Sequence, residues 1–123
     1  MAHTPTSRED ALENIAAAYH GVTAGVATAD LDLLADGLEQ MHLRGFKAAE
    51  VAAQPAAAEF LRRIRARTGI ACGMSSMGPL VYAIVDSNDT HASRRLLALA
   101  SEDNIELLGR SKGRSTGYQV LDT

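Results

Sequence analysis

The first half of the chain has apolar residues that recur at helical spacing. One such stripe predicts a helix over residues 7–27. Its members are Leu12, Ile15, Ala16, Tyr19, Val22 and Val26. A second stripe begins after Asp30, which suits an N-cap, and predicts a helix that ends near Arg44 and Gly45.

A third helix is predicted from Pro55, which suits a first helical position, to Gly69, which suits a C-terminal cap. Its buried stripe is expected to consist of Phe60, Leu61 and Ile64. Four arginines between residues 62 and 67 fall mostly on the other side, where we expect a solvated face. Residues 46–54 are Ala-rich but few, and we predict a loop or a single turn there.

The pattern changes to strand-like runs after Gly69. Residues 70–72 predict a short strand, and the apolar, β-branched run 80–85 predicts a buried one. A turn at 86–89 precedes a helix capped by Asp89 or Thr90, and residues 105–108 and 118–121 predict two more strands. This order of elements predicts an α+β domain with helices packed on one face of a mostly antiparallel sheet.

Composition sets further bounds on the kind of protein. Apolar residues make up 46% of the chain and aromatic residues only 4%, so we expect an aliphatic core. No apolar stretch approaches the roughly 18–20 residues needed to span a bilayer, and we expect no membrane partner. Cys72 is the only cysteine, so an intramolecular disulfide is impossible and a cytoplasmic location is expected.

Charge is unevenly distributed between the two halves. Residues 1–61 carry three basic and nine acidic side chains, whereas residues 62–123 carry nine basic and six acidic ones. Two solvated faces of opposite charge would explain this distribution. A phosphate-bearing ligand that binds to the second half would also explain it. Nucleic acid is not expected as a partner, because the net charge is −3 and the basic residues are not interleaved with aromatic ones.

The segment from Gly73 to Pro79 is the most informative part of the sequence. It joins two predicted strands and contains the adjacent hydroxyls of Ser75 and Ser76. Gly73 begins the segment, and Gly78 directly precedes Pro79. These glycines allow a positive φ or close approach of a ligand to the backbone. A plain connection in which the serines cap their own backbone is the alternative interpretation.

Residues 73–79 read Gly-Met-Ser-Ser-Met-Gly-Pro, and an apolar strand follows. This segment resembles the C-terminal glycine motif of the GHMP superfamily, and most of all that of the β-ribofuranosylaminobenzene 5′-phosphate synthases. Two other segments agree, namely Gly45-Phe46-Lys47 with Glu50 downstream, and residues 109–118. The resemblance extends from about residue 8 to the end of the chain.

The resemblance implies a ferredoxin-like, GHMP C-terminal domain over residues 7–123, after a tail of residues 1–6. It implies part of a synthase that joins a 4-substituted benzoate to 5-phosphoribosyl diphosphate, with release of diphosphate and carbon dioxide. The phosphate-binding segment of the superfamily belongs to an N-terminal domain, and nothing in this chain matches it. We therefore expect no turnover by this chain alone, and a separate N-terminal GHMP domain or split subunit as partner.

The substrate-binding residues implied are Gly73, Ser75, Ser76, Gly78, Pro79, Arg110 and Arg114. No catalytic residue is assigned. Mg²⁺ is expected for the complete enzyme, but no metal or cofactor is expected on this chain, whose four histidines lack metal-ligand spacing. A homodimer is a further expectation.

Two other functions remain open. The chain is alternatively the acceptor domain of a GHMP small-molecule kinase, or a stand-alone module that binds or senses a ligand. Three further residues have structural interpretations. Cys72 is expected to be a small buried hydrophobe, and Lys47 with Glu50 a surface ion pair.

Overall fold

The computed structural model describes residues 7–75 and 78–113. The helices are α1 (Arg8–Ala16), a π-helical segment (Ala17–Thr23), α2 (Ala24–Thr28), α3 (Leu31–His42), α4 (Gly45–Ala52), α5 (Pro55–Thr68) and α6 (Thr90–Glu102); the strands are β1 (Ala71–Met74) and β2 (Val81–Ile84). The α+β class is thus confirmed. None of the described helices combines the length and apolar character that a membrane span needs.

The first predicted helix is present as one continuous helical run, residues 8–28, which includes the π-helical segment. Ser7 caps it by accepting a hydrogen bond from the backbone N–H of Asp10 at 3.0 Å. The chain then reverses through Ala29, whose φ is +54°. Asp30 caps α3 as predicted, because its carboxylate accepts from the N–H of Leu33 at 3.0 Å.

Glycines form the contact between this helical run and α3. A Cβ atom at Gly21 would lie 2.7 Å from the Cα of Gly37, and one at Gly25 would lie 2.7 Å from the backbone N of Leu34. The two backbones therefore approach more closely than any larger residue would allow. The face of the run that packs against α3 is thus its glycine face.

The two strands form an antiparallel hairpin with Gly73 opposite Tyr82 and Met74 opposite Val81. Successive residues of a strand point to opposite faces. Ala71 packs against Leu34, Ala35 and Leu38 of α3, whereas Cys72 and Met74 pack into the core formed with α5 and α6. Helices therefore cover both faces of this hairpin, and the prediction that they lie on one face is wrong.

Two further predictions are corrected by the described residues. Residues 45–52 form helix α4 rather than a loop, with Val51 packed against the main core. Gly45 has a positive φ of +59° as expected near the end of α3, but it also begins α4. Residues 105–108 form no strand, and Leu107 and Leu108 are exposed. The strand predicted at 118–121 lies outside the described residues.

Helix α5 has the predicted bounds and the predicted buried stripe. Phe60, Leu61 and Ile64 are buried, and Gly69 ends the helix with φ of +68°. Its arginines are not simply solvated. Arg63 pairs with Glu102 at the end of α6 and with Asp103 directly after it. Arg65 pairs with Asp36 and Glu39 of α3.

Candidate functional site

The end of β1 is held by side chains from two helices. Ser75 donates its N–H to the carbonyl of Leu80 in the hairpin, so the backbone groups of Met74 point away from β2. The N–H of Met74 instead donates to Nε2 of His42 at 3.0 Å. Its carbonyl accepts from Nζ of Lys47 at 2.7 Å. Side chains thus occupy an edge position that a further strand would otherwise take.

These contacts fix the protonation of His42. Its Nδ1 lies 2.8 Å from the carbonyl of Leu38, which can only accept, so Nδ1 carries the proton. Its Nε2 must then accept from Met74, and the ring is neutral in this arrangement. Burial lowers the pKa of His42 below its ordinary value, and the nearby charge of Lys47 lowers it further.

Lys47 and Glu50 form a buried part of the same cluster. Nζ of Lys47 lies 3.2 Å from Oε2 of Glu50, whose side chain is only 9% exposed. The predicted ion pair is therefore present, but the prediction that it lies on the surface is wrong, because Glu50 is buried. Lys47 connects a buried carboxylate to the carbonyl of Met74, the second residue of the segment from Gly73 to Pro79. Because burial of an unpaired carboxylate costs free energy, Lys47 stabilises both the carboxylate of Glu50 and the carbonyl of Met74.

Tyr82 completes the cluster on the opposite strand. A Cβ atom at Gly73 would lie 2.7 Å from Cζ of Tyr82 and 2.8 Å from Cε1 of His42, so both rings cover the glycine. Burial raises the pKa of Tyr82, which keeps its hydroxyl protonated. We call His42, Lys47, Glu50 and Tyr82 the polar cluster. Its members lie in separate parts of the sequence, and no local motif marks them together.

The loop after the polar cluster is closed by backbone contacts. The N–H of Gly78 donates to the carbonyl of Ser75 at 2.9 Å. Gly78 has a φ of +78°, and a Cβ atom there would lie 2.6 Å from Sδ of Met74. The positive φ favours glycine at this position, and a larger residue would also have to displace the side chain of Met74. Ser75 and Pro79 are exposed at the rim of the loop.

The predicted substrate-binding residues have different outcomes. The structure brings Gly73, Ser75, Gly78 and Pro79 together beside the polar cluster. Arg110 lies in an exposed, irregular stretch after α6, and no described hydrogen bond or ion pair links it to the loop. Ser76 and Arg114 lie outside the described residues.

A groove opens on the other side of His42, between α3, α4 and α5. Its volume is about 370 Å³, and Leu43, Val51, Ala58, Leu61 and Cys72 line its apolar part. Glu39, Arg62 and Arg65 lie at its rim. Cys72 is buried as predicted, and burial raises the pKa of its thiol to about 11. The thiol is thus unsuited to act as a nucleophile at neutral pH.

The residues of this site do not fit a metal ion. Over residues 7–75 and 78–113, no three His, Cys, Asp or Glu side chains are grouped as metal ligands. Glu50 is the carboxylate of the polar cluster, and Lys47 already neutralises it.

Comparison with known proteins identifies no family for this chain. It matches no protein-family model, no curated protein and no solved structure.

Proposed function

We propose that this chain is the substrate-binding domain of a β-ribofuranosylaminobenzene 5′-phosphate synthase-like protein. The segment from Gly73 to Pro79, together with the polar cluster, binds the phosphoribosyl compound, and the neighbouring groove binds an aromatic ring. The reaction requires an N-terminal GHMP domain or a split subunit. The same proposal includes a cytoplasmic location. It also includes a ferredoxin-like sheet, which further strands would complete.

One observation carries the proposal. Two of the three segments that carry the resemblance are distant in sequence, and they meet through the 2.7 Å hydrogen bond between Lys47 and the carbonyl of Met74. A plain hairpin connection does not need a lysine and a histidine from two helices at its base. The contacts fix the position from which the loop departs, and fixed position is what substrate alignment requires.

The chemistry of the region is suited to an anionic, partly aromatic ligand. Departure of diphosphate places negative charge beside the loop, where hydrogen-bond donors stabilise it. Ser75 presents a hydroxyl at the exposed rim, and the ammonium group of Lys47, which is paired with Glu50, lies at the base. The groove of about 370 Å³ falls within the size range of small-molecule sites, and it has the mainly apolar lining common in them.

A stand-alone ligand-binding module is the second candidate, and the engagement of His42 favours it. Both ring nitrogens of His42 are used in hydrogen bonds to backbone groups. The best-placed base of the described site thus has a positioning role. Binding without turnover, even after a partner domain is added, would favour this second function.

Calorimetric titration with 5-phosphoribosyl diphosphate, with and without Mg²⁺, tests the binding proposal. We expect binding that Ser75→Ala weakens. Lys47→Met alone leaves Glu50 buried and unpaired, at a cost of about 3–5 kcal/mol of stability. The double variant Lys47→Met/Glu50→Gln avoids that penalty and should weaken binding while the fold persists. Arg8→Met, which removes an exposed charge in α1, is the matched control.

Absence of binding by the wild-type chain would overturn the proposal, as would equal loss of binding in Arg8→Met. Ser76→Ala and Arg114→Ala extend the test to the predicted residues outside the described part of the chain. Product formation by this chain alone, from a 4-substituted benzoate and 5-phosphoribosyl diphosphate, would contradict the requirement for a partner domain.

A further inference from the structure

A stripe of large apolar side chains is uncovered on the helical run of residues 8–28. Leu12 is 57% exposed, Ile15 64%, Tyr19 68% and Val26 67%. Isolated exposed apolar residues are normal on a protein surface, but four on one helical run form a patch. We call these four residues the N-terminal stripe.

The N-terminal stripe is remote from the loop site. The run contacts α3 through Gly21 and Gly25, and α3 in turn packs against Ala71 of β1. Helix α3 therefore stands between the stripe and the hairpin. The stripe and the loop site therefore lie on opposite sides of α3.

The spacing of the stripe is symmetric about Tyr19. Leu12 precedes it by seven residues and Val26 follows it by seven, which is about 10 Å of helix in each direction. A second copy in antiparallel orientation would place Leu12 against Val26 of the partner subunit. The two Tyr19 side chains would meet at the twofold axis. Such self-complementarity is what an isologous interface requires.

Charge along the run favours the same arrangement. Arg8, Glu9, Asp10 and Glu13 lie in its first six residues, whereas residues 14–28 contain no Asp, Glu, Lys or Arg. An antiparallel pair places each acidic end beside an uncharged end. A parallel pair would place the acidic ends together, where like charges repel. The helix dipoles also favour the antiparallel orientation.

We propose that the N-terminal stripe is the interface of a homodimer, in which two copies of this chain pair antiparallel about Tyr19. The proposal does not depend on the function of the loop. It requires only that burial of the four apolar side chains between two copies outweighs the loss of their freedom of motion.

Sedimentation equilibrium of the full chain tests the interface. We expect the wild type to have twice the mass of the chain at high micromolar concentration. Ile15→Glu and Tyr19→Glu should each give the mass of a single chain with unchanged helical circular dichroism. Leu108→Glu replaces another highly exposed leucine, outside the stripe, and should remain dimeric. A monomeric wild type, or a dimer that Ile15→Glu leaves intact, would overturn the proposal.

Disulfide trapping tests the orientation. When Leu12→Cys and Val26→Cys chains are mixed and oxidised, the mixed disulfide should form faster than either symmetric one. Ala98→Cys on α6 is the exposed control and should not crosslink. Cys72 is 5% exposed and gives little background. Preferential Leu12→Cys homodimers would contradict the antiparallel arrangement. A monomeric full chain that dimerises only after removal of residues 114–123 would assign the stripe to that segment and overturn the proposal.

Discussion

Helix α5 and the helical run of residues 8–28 have the same kind of apolar stripe in sequence, yet only α5 buries it. Ile64 of α5 is completely buried, whereas Ile15 of the run is 64% exposed. Helix α5 packs its large side chains against β1 and α6. The run instead packs its glycines and Val22 against α3, and the four side chains of the N-terminal stripe face outward.

Helical periodicity thus identifies a helix, but it does not show which face of that helix packs against the rest of the chain. In the run, close approach of two backbones at Gly21 and Gly37 replaces side-chain packing. Glycine costs about 1 kcal/mol relative to alanine within a helix, so this contact must recover that cost through close packing. The large side chains of the N-terminal stripe are then exposed.

The largest expected effect is loss of stability in Ile64→Ala. Because Ile64 is completely buried, this change should lower the free energy of unfolding by about 2–5 kcal/mol. The matched change Ile15→Ala should alter the stability of the monomer by less than about 0.5 kcal/mol. Urea denaturation of both variants at low protein concentration measures this. Similar losses in the two variants would break the comparison.

The next largest effect is expected for Gly37→Ala. The new methyl group would lie 2.7 Å from the backbone N of Val22, so the two helices must separate. We expect a loss of about 1–3 kcal/mol, as for overpacked sites. Gly109→Ala is the control, because nothing lies within 4 Å of a Cβ atom there. Thermal denaturation of both variants decides whether the glycine contact is tight, and equal melting temperatures would contradict it.

A smaller loss of stability is expected at low pH, and it comes from His42 at the C-terminal end of α3. Because burial lowers the pKa of His42 in the folded protein, the unfolded chain binds a proton on this residue first as the pH falls. Stability from His42 is therefore present above about pH 6.5 and is lost below it. Urea denaturation between pH 7.5 and about pH 5 measures the slope.

The control for this pH dependence is His42→Gln, whose amide oxygen can still accept a hydrogen bond from Met74 but does not titrate. This variant should lose the part of the slope that comes from His42. An unchanged slope would show that other groups cause it. Acid should weaken the hydrogen bond from the N–H of Met74 to His42. It should not melt the helical run of residues 8–28, and far-ultraviolet circular dichroism can monitor this helix content.

Local signals in the sequence predicted much of the fold. Asp30, Asp89, Pro55 and Gly69 each begin or end a helix as expected, because capping depends on nearby backbone groups. Helix α4 was missed, since a short Ala-rich segment gives little periodicity and its helix depends on packing by Val51. Helices on both faces of the hairpin could not be deduced from two short apolar runs.

The candidate site was predicted only in part. The loop was recognisable because its glycines and serines are adjacent in sequence. The pairing of Lys47 with Glu50 was also recognisable, but the contacts of His42 and Lys47 with Met74 were not, since 32 residues separate His42 from Met74 and 27 separate Lys47 from Met74. Such contacts arise from the packing of α3 and α4 against the edge of β1, and no local spacing encodes them.

Nuclear magnetic resonance titration of the ¹⁵N-labelled chain with 5-phosphoribosyl diphosphate tests the central claim, that the loop and the polar cluster form a ligand site. Backbone amides report each position separately. We predict shifts concentrated at Gly73, Ser75 and Gly78 and at Lys47, with the N-terminal stripe unchanged. Shifts spread over the exposed arginines, or no shifts at saturating ligand, would contradict the claim.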